Sequence, residues 1–396
     1  MPNLDLVDYA GREQAYIKHC LLQEYLPDWG YKIGSSWDTL AYVDGFAGPW
    51  KVKRDDCADS SFGVAFEALR KCYMGHRDKW NRKVKFRCIM VEKDSKAFAR
   101  LEKFTKDNDG RGIELFPING EFVREIPAIQ RILNKDSTNT FKFVLLDPKG
   151  WADIPMDEIK PLIMGRSSEV LVNLMTSDIR RFLDEDSRAL SFHKLFGRDD
   201  VLQKLQELPK GAERTEFAVY EYCRSLKKLC GFKYVSTAVV LAPDKESVKY
   251  FLVYATNHPV GIEVFKRAEM KVAGIQEQVR VDVQIRRTGQ TLMAFDECAP
   301  KSRTTLRLRD RYVALAKDKV LSELLDAGPK GILYSELFCE AMGFGLVQPD
   351  DLLGWIKGWE PHVKLAYEKP TSRKPSVERD DRVIVMNRSV LLAERA

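Results

Sequence analysis

Two hydrophobic patterns alternate along the first two thirds of this chain. Short apolar runs stop at a polar residue, and longer stretches carry apolar residues at helical spacing. The short runs are Leu40–Val43, Lys85–Glu92 (KFRCIMVE), Gly112–Asn119 (GIELFPIN), Phe141–Asp147 (FKFVLLD) and Glu169–Leu174 (EVLVNL). Their pattern predicts strands. Helices are predicted over 13–29, ending near Pro27, and over 62–74, 94–106 and 121–133. Strands separated by helices pair in parallel, so the pattern predicts a doubly wound α/β sheet. Residues 176–231 read as a mainly helical, highly charged insertion. Beyond them, Tyr234–Leu241 and Lys249–Thr256 flank an APDKES turn, which predicts an antiparallel hairpin at the sheet edge.

The pattern then changes. Residues 296–311 (DECAPKSRTTLRLRDR) are polar and basic, and three helices are predicted after them, at 311–326, 334–342 and 350–358. Two strands, 363–368 and 382–387, are joined by the basic, proline-containing loop Lys369–Arg379. Three helices and a hairpin with a basic tip predict a winged helix-turn-helix. With 396 residues, of which 44% are hydrophobic, two domains are the expectation, 1–300 and 301–396.

Composition excludes more than it assigns. No window approaches the ~18 consecutive apolar residues of a membrane helix. The N-terminus (MPNLDLVDYAGREQ) lacks the basic-then-apolar order of a secretory signal, so a soluble cytoplasmic protein is expected. The eight cysteines (20, 57, 72, 88, 223, 230, 298, 339) contain no CxxC and the five histidines are dispersed, so reduced thiols and no metal centre are expected. A net charge of +6 is too mild to indicate nucleic acid by itself.

In open α/β sheets ligands bind beyond the carboxyl ends of the strands, where strand order reverses. The first strand runs into Asp44-Gly45-Phe46-Ala47-Gly48, a turn whose glycines allow close backbone approach. The second ends at Glu92, suited to accept from both ribose hydroxyls of an adenosine cofactor. The third ends at Asn119-Gly120, suited to an adenine edge, and the fourth at Asp147-Pro148-Lys149-Gly150-Trp151. Each alone is more often a tight corner or a solvated cap; together, in order, they point to a nucleoside-cofactor pocket. The first turn is not the GxGxxG of a dinucleotide fold. An acid before the turn suits S-adenosylmethionine, whose cationic amino-acid end Asp44 can engage while the Gly45–Gly48 backbone approaches the methionine portion.

Five parallel strands and a hairpin are also the arrangement of class I methyltransferases. Lys18-His19, the DGFAGP block at 44–49, Leu146-Asp147-Pro148-Lys149-Gly150, Leu171-Val172-Asn173 and His258-Pro259-Val260-Gly261 together resemble the three-Cys-motif partner protein (TcmP) family over the whole chain. The DGFAGP block is the most specific of these. The family is similar to class I S-adenosylmethionine-dependent methyltransferases, and its name refers to cysteines in a separate partner protein. More distantly, the same features resemble bacterial ribosomal-RNA adenine-N6 methyltransferases.

The resemblance implies cofactor-binding roles for Asp44, Gly45, Phe46, Ala47, Gly48, Glu92, Asn119 and Gly120, with Lys18 and His19 at the pocket mouth. It implies that Asp147 stands where a target amino group is held, with Pro148, Lys149 and Trp151 beside it. Two departures bear on the acceptor. DPKGW replaces the usual (D/N)PP(Y/F), whose aromatic stacks a flipped base, and Trp50 stands where a glycine is common. Catalysis is therefore one reading, and a catalytically silent binding module is the other. Trp151 reads equally as core packing, Asp178, Arg180 and Arg181 as a solvated helix start, and His258 as a cap for the helix at Gly261.

For nucleic acid the strongest signal is Lys301, Arg303, Arg307, Arg309 and Arg311, joined by Lys369, Arg373, Lys374 and Arg379 of the wing. The presumed recognition helix, 349–359, carries only Lys357 as a cation, which disfavours reading of the major groove. The C-terminal unit is thus expected to grip phosphate or to dock a partner protein.

Overall fold

The computed structural model describes residues 4–48, 52–136, 139–176, 189–209, 212–288, 301–368 and 377–395. Seven strands form one sheet: β1 (Thr39–Asp44), β2 (Lys85–Glu92), β3 (Ile113–Asn119), β4 (Thr140–Leu146), β5 (Ser168–Leu174), β6 (Tyr234–Leu241) and β7 (Val248–Thr256). Their order is β3-β2-β1-β4-β5-β7-β6. The first five run parallel, and β7 lies antiparallel between β5 and β6. This is a Rossmann-like sheet with the strand count and hairpin read from the sequence. β1, β4 and β5 are buried along their whole length or nearly so, as expected of strands covered on both faces.

The crossovers turn back at β1. α2 (Ser61–Trp80) and α3 (Ser95–Asp107) carry the chain outward from β1 to β3, and α4 (Phe122–Leu133) and α5 (Met156–Ile163) carry it the other way through β4 to β5. Right-handed crossovers in opposite directions place these pairs on opposite faces and open a crevice where β1 and β4 part.

α1 (Glu13–Gly34) passes through Pro27 rather than ending there. Its buried face continues over Trp29, Gly30 and Gly34, and packing against α2 outweighs the lost hydrogen bond. Gly30 is obligatory at this crossing, because a Cβ there would lie 2.6 Å from Cys72 Sγ.

After β5 the described insertion is helical: α6 (Ala189–Phe196), α7 (Asp200–Glu207) and α8 (Ala212–Cys230). α9 (Pro259–Thr288) follows β7 and packs beside α1. The C-terminal order is α10 (Arg303–Asp326), β8 (Ile332–Leu333), α11 (Tyr334–Ala341), α12 (Pro349–Gly358), β9 (Val363–Ala366), β10 (Arg382–Val385) and α13 (Arg388–Arg395). β10 lies between β8 and β9, antiparallel to both. α10 begins eight residues before the predicted 311. Ser302 caps it by accepting from Thr305 N, and Leu308, Tyr312 and Ala316 bury at helical spacing. The basic stretch is therefore helical from Arg303 onward. Among the described residues no helix is long and apolar enough to cross a membrane.

The C-terminal unit docks on the sheet unit through polar contacts in a buried seam. Ser236 Oγ donates to Met342 O at 2.5 Å, Lys266 Nζ to Phe344 O at 3.1 Å, and Leu346 N to Glu269 Oε1 at 2.8 Å. Lys266 and Glu269 also pair with each other, with side chains 1% and 5% exposed. Removing one member of such a pair strands a buried charge. Glu269→Ala is expected to lower the unfolding free energy by ~3–5 kcal/mol, measurable by urea denaturation. The Lys266→Met/Glu269→Leu double variant is expected to recover most of that loss, because no charge is left unpaired.

Candidate cofactor site

A cavity of about 330 Å³ lies at the carboxyl ends of all five parallel strands. Gly45, Phe46 and Gly48 enter it from the turn after β1, Glu92 from β2, Gly120 and Phe122 from the end of β3 and start of α4, and Asp147, Pro148 and Lys149 from the end of β4. Lys18 closes one side from α1. The strand-end reading thus brings Lys18, Gly45, Phe46, Gly48, Glu92, Gly120, Asp147, Pro148 and Lys149 to one place.

The turn after β1 is held from behind. Asp44 is fully buried, accepting from Phe46 N at 3.1 Å, Ser61 Oγ at 2.6 Å and Tyr42 Oη at 3.2 Å. These bonds bend Gly45-Phe46 over the end of the sheet and tie it to the start of α2. Gly45 N donates to Leu145 O and Ala47 N to Val91 O, so the turn is stitched to both neighbouring strands. Gly45 must be glycine: a Cβ there would meet the Phe122 ring at 2.8 Å. Phe46 and Phe122 face each other with centroids 5.3 Å apart.

Glu92 is 4% exposed, and its Oε1 accepts from Asp94 N at 2.6 Å, which orients the carboxylate at the cavity wall. Asp147 is bound on both oxygens, by Lys18 Nζ on Oδ2 and by Asn173 Nδ2 on Oδ1 at 2.6 Å. Asn173 Oδ1 is buried with no hydrogen-bond partner, leaving one acceptor unsatisfied beside the cavity.

Five residues expected at the site stand elsewhere. Asp44 does not line the cavity; it braces the turn, because its oxygens are spent on Phe46, Ser61 and Tyr42. Ala47 is 1% exposed and packs inward. Asn119 Nδ2 donates to Glu92 O at 2.8 Å, joining β3 to β2, and the side chain does not line the cavity. His19 turns from the cavity to Tyr9 Oη at 2.8 Å, and burial, followed by the charges of Lys18 and Arg12, holds its pKa well below the ordinary value. Trp151 is 6% exposed and packs on Phe192 of the insertion with centroids 4.8 Å apart, so it is core and not a stacking platform. His258 caps α9, its Nδ1 accepting from Val260 N at 3.2 Å. Trp50, Asp178, Arg180 and Arg181 lie outside the described residues.

Asn173, Phe122, Lys249 and Tyr250 line the cavity without having been assigned a role from the sequence. Lys249 and Tyr250 reach it because an antiparallel strand begins where its parallel neighbours end, so the start of β7 falls at the carboxyl edge. That pairing was the missing signal. Tyr250 Oη donates to Gln14 O at 2.5 Å, and burial, reinforced by the Asp147 charge, raises its pKa well above the ordinary value.

Of the basic residues, Arg303 and Arg307 are exposed on α10. Arg309 is engaged internally, pairing with Asp351 at 2.8 Å and donating to Leu346 O at 2.6 Å. Arg311 pairs with Glu216 and Arg379 with Glu263. Lys369, Arg373 and Lys374 lie outside the described residues.

No family model matches the chain, and no curated protein does. Solved structures that match include a methyltransferase described as putative, from Porphyromonas gingivalis W83, at 14% identity and a TM-score of 0.27, over 58% of this chain and 40% of that one. An O-methyltransferase from Bacillus cereus in complex with SAH matches at 9% identity and a TM-score of 0.30, over 59% and 80% of the respective chains. The O-methyltransferase TomG from Streptomyces achromogenes, involved in tomaymycin synthesis and in complex with SAM, matches at 12% identity and a TM-score of 0.29, over 60% and 79%. At these values the functional reading rests on this chain's own residues.

Burial pushes the Asp44 carboxyl up to about 6, against the lowering pull of the Ser61 and Phe46 hydrogen bonds. The folded protein then holds this proton more tightly than the unfolded chain. The stabilisation is complete below the unfolded value near 3.8 and is lost as pH rises through about 6. The stability of the wild type relative to Asp44→Asn is expected to fall by ~3 kcal/mol between pH 4 and pH 7, read from urea melts of both proteins.

Proposed function

We propose that this protein is an S-adenosylmethionine-dependent methyltransferase, acting on a nucleic-acid base or on a substrate presented by a partner protein of the three-Cys-motif kind. The observation that carries the reading is one cavity in which a glycine turn, an acid after β2, Gly120 after β3 and Asp147 after β4 converge at the strand-order reversal. Its volume falls in the range of small-molecule sites.

The residues present fit the cofactor. Glu92 accepts from the ribose hydroxyls, Phe46 and Phe122 flank the adenosine, and the Gly45 and Gly120 backbones allow close approach. Asn173 Oδ1, unsatisfied without a ligand, and Asp147 offer acceptors to the cationic amino-acid end, the role first given to Asp44. When bound, the cofactor supplies an electrophilic methyl group on a sulfonium. Lys18 holds Asp147 in place, and α1 covers the cavity from water. The C-terminal order of helices and small sheet supports a winged helix-turn-helix, with Arg303 and Arg307 exposed on α10 to meet phosphate. It divides the chain into units 1–300 and 301–396.

A second reading is a catalytically silent module that binds the cofactor and recruits a partner. Trp151 is core and so cannot stack a target base, and each Asp147 oxygen already accepts one bond within the protein.

Isothermal titration of the full chain with S-adenosylhomocysteine is expected to show saturable binding. Glu92→Ala is expected to weaken it by roughly tenfold or more, the worth of charge-assisted hydrogen bonds to two hydroxyls. No binding by wild-type protein of native circular dichroism overturns the cofactor reading. Methyl transfer from labelled cofactor into tRNA, rRNA, DNA or the partner, lost in Asp147→Ala, supports catalysis; cofactor binding with transfer to none of them supports the silent module.

A further inference from the structure

A second cavity, of about 760 Å³, lies at the opposite edge of the sheet from the first. It sits among the C-terminal half of α1, the amino ends of β4 and β5, the end of β7 and the start of α9. Nothing in the methyltransferase reading uses it.

Three features of its lining are chemically distinct. Its walls are aromatic: Tyr25, Trp29, Trp37 and Phe141, with Trp37 edge-on to Phe141 at 5.3 Å. The Trp29 indole Nε1 is buried and has no hydrogen-bond partner, in a residue only 2% exposed. Its rim is cationic. Lys32, Arg166 and Lys233 are exposed around the opening, and among the described residues none of the three makes an ion pair.

The third feature is a buried carboxylate. Glu169 is 3% exposed, its Oε2 accepting from Tyr25 Oη at 2.6 Å and its Oε1 from Thr256 Oγ1 at 2.9 Å. Tyr25 Oη in turn lies 2.7 Å from Tyr254 Oη. A carboxylate has about four acceptor positions, so Glu169 retains capacity for further N–H donors at the cavity wall. Gly261 packs closely on this corner: a Cβ there would lie 2.9 Å from Glu169 Oε1.

We infer that this cavity binds a nucleotide: Trp37, the one of the four rings left partly exposed, stacks the base, Glu169 accepts from the N–H donors on its edge, and Lys32, Arg166 and Lys233 meet the phosphate. An apolar metabolite would leave the carboxylate and the three cations unused. A simple anion would leave the aromatic walls unused. Base stacking on aromatic side chains tolerates any base, so the carboxylate decides among them. Guanine presents two adjacent donors, a ring N–H and an amino group, to one carboxylate. Adenine and cytosine present an amino group beside a ring acceptor, which the carboxylate repels.

The test is isothermal titration of the full chain with guanosine monophosphate, with S-adenosylhomocysteine present and absent so that competition at the first cavity is visible. Saturable one-to-one binding that persists in both conditions is expected. Guanosine and adenosine monophosphate are each expected to bind roughly tenfold more weakly, and inorganic phosphate alone not measurably. Arg166→Glu/Lys233→Glu alters only exposed side chains and is expected to weaken guanosine monophosphate by roughly tenfold or more. Glu169→Gln is expected to erase the preference for guanine over adenine. Absence of saturable binding, displacement by S-adenosylhomocysteine, or binding unchanged in the charge-reversal variant each overturns the proposal. None of these results depends on methyl transfer, so the two readings fail separately.

Discussion

The contact between Lys18 and Asp147 joins elements that the chain separates by more than a hundred residues. α1 supplies the cation, the end of β4 the carboxylate, and Asn173 of β5 the second bond to it. Neither charge belongs in an interior of this kind unless compensated. Pairing them therefore fixes how α1 lies across the sheet, which decides where the crevice between β1 and β4 is roofed. The same pairing orders the acceptors that face the cavity. A helix that docked through apolar contacts alone would be free to slide by a turn; one that buries a lysine onto a single aspartate is not.

Around that contact the site is built on the reversal of strand order. β1 stands between β2 and β4, the crossovers leave it in opposite directions, and the turn beyond it has no crossing helix above it. Asp44 keeps the turn bent at the expense of a desolvated carboxyl, which is why its acidity is weakened rather than strengthened. The opposite edge of the sheet obeys different physics. There buried aromatic side chains of α1 and β4 stand beside the half-buried Trp37, and exposed cations gather at the opening. One sheet thus presents two cavities of different chemistry, a glycine-lined one of mixed charge at its carboxyl edge and an aromatic, cation-rimmed one at its amino edge.

The C-terminal unit shows how a composition shift can mislead. Residues 296–311 stand out as polar and basic with the helix predicted only from 311, yet from Arg303 they form a capped helix whose cations are partly spent on the protein itself. Arg309 binds Asp351, and Arg311 binds Glu216. Whether an arginine meets solvent or a carboxylate depends on which helix lies opposite, and no local pattern carries that information.

By itself the sequence determined the strands of the sheet, their parallel sense and which strand ends are polar, because apolar runs and helical spacing are local consequences of burial on one or both sides. It determined that Glu92, Gly120 and Asp147 stand at successive strand ends, and hence that they converge. Only the tertiary structure decided which way their neighbours turn. Asp44 and Asn119 bond inward, His19 faces Tyr9, and Trp151 joins the core, while Asn173 and Tyr250 enter the cavity from strands whose relevance depends on sheet order. A buried polar side chain goes where its hydrogen bonds can be met, and those partners are contributed by segments far away in the chain.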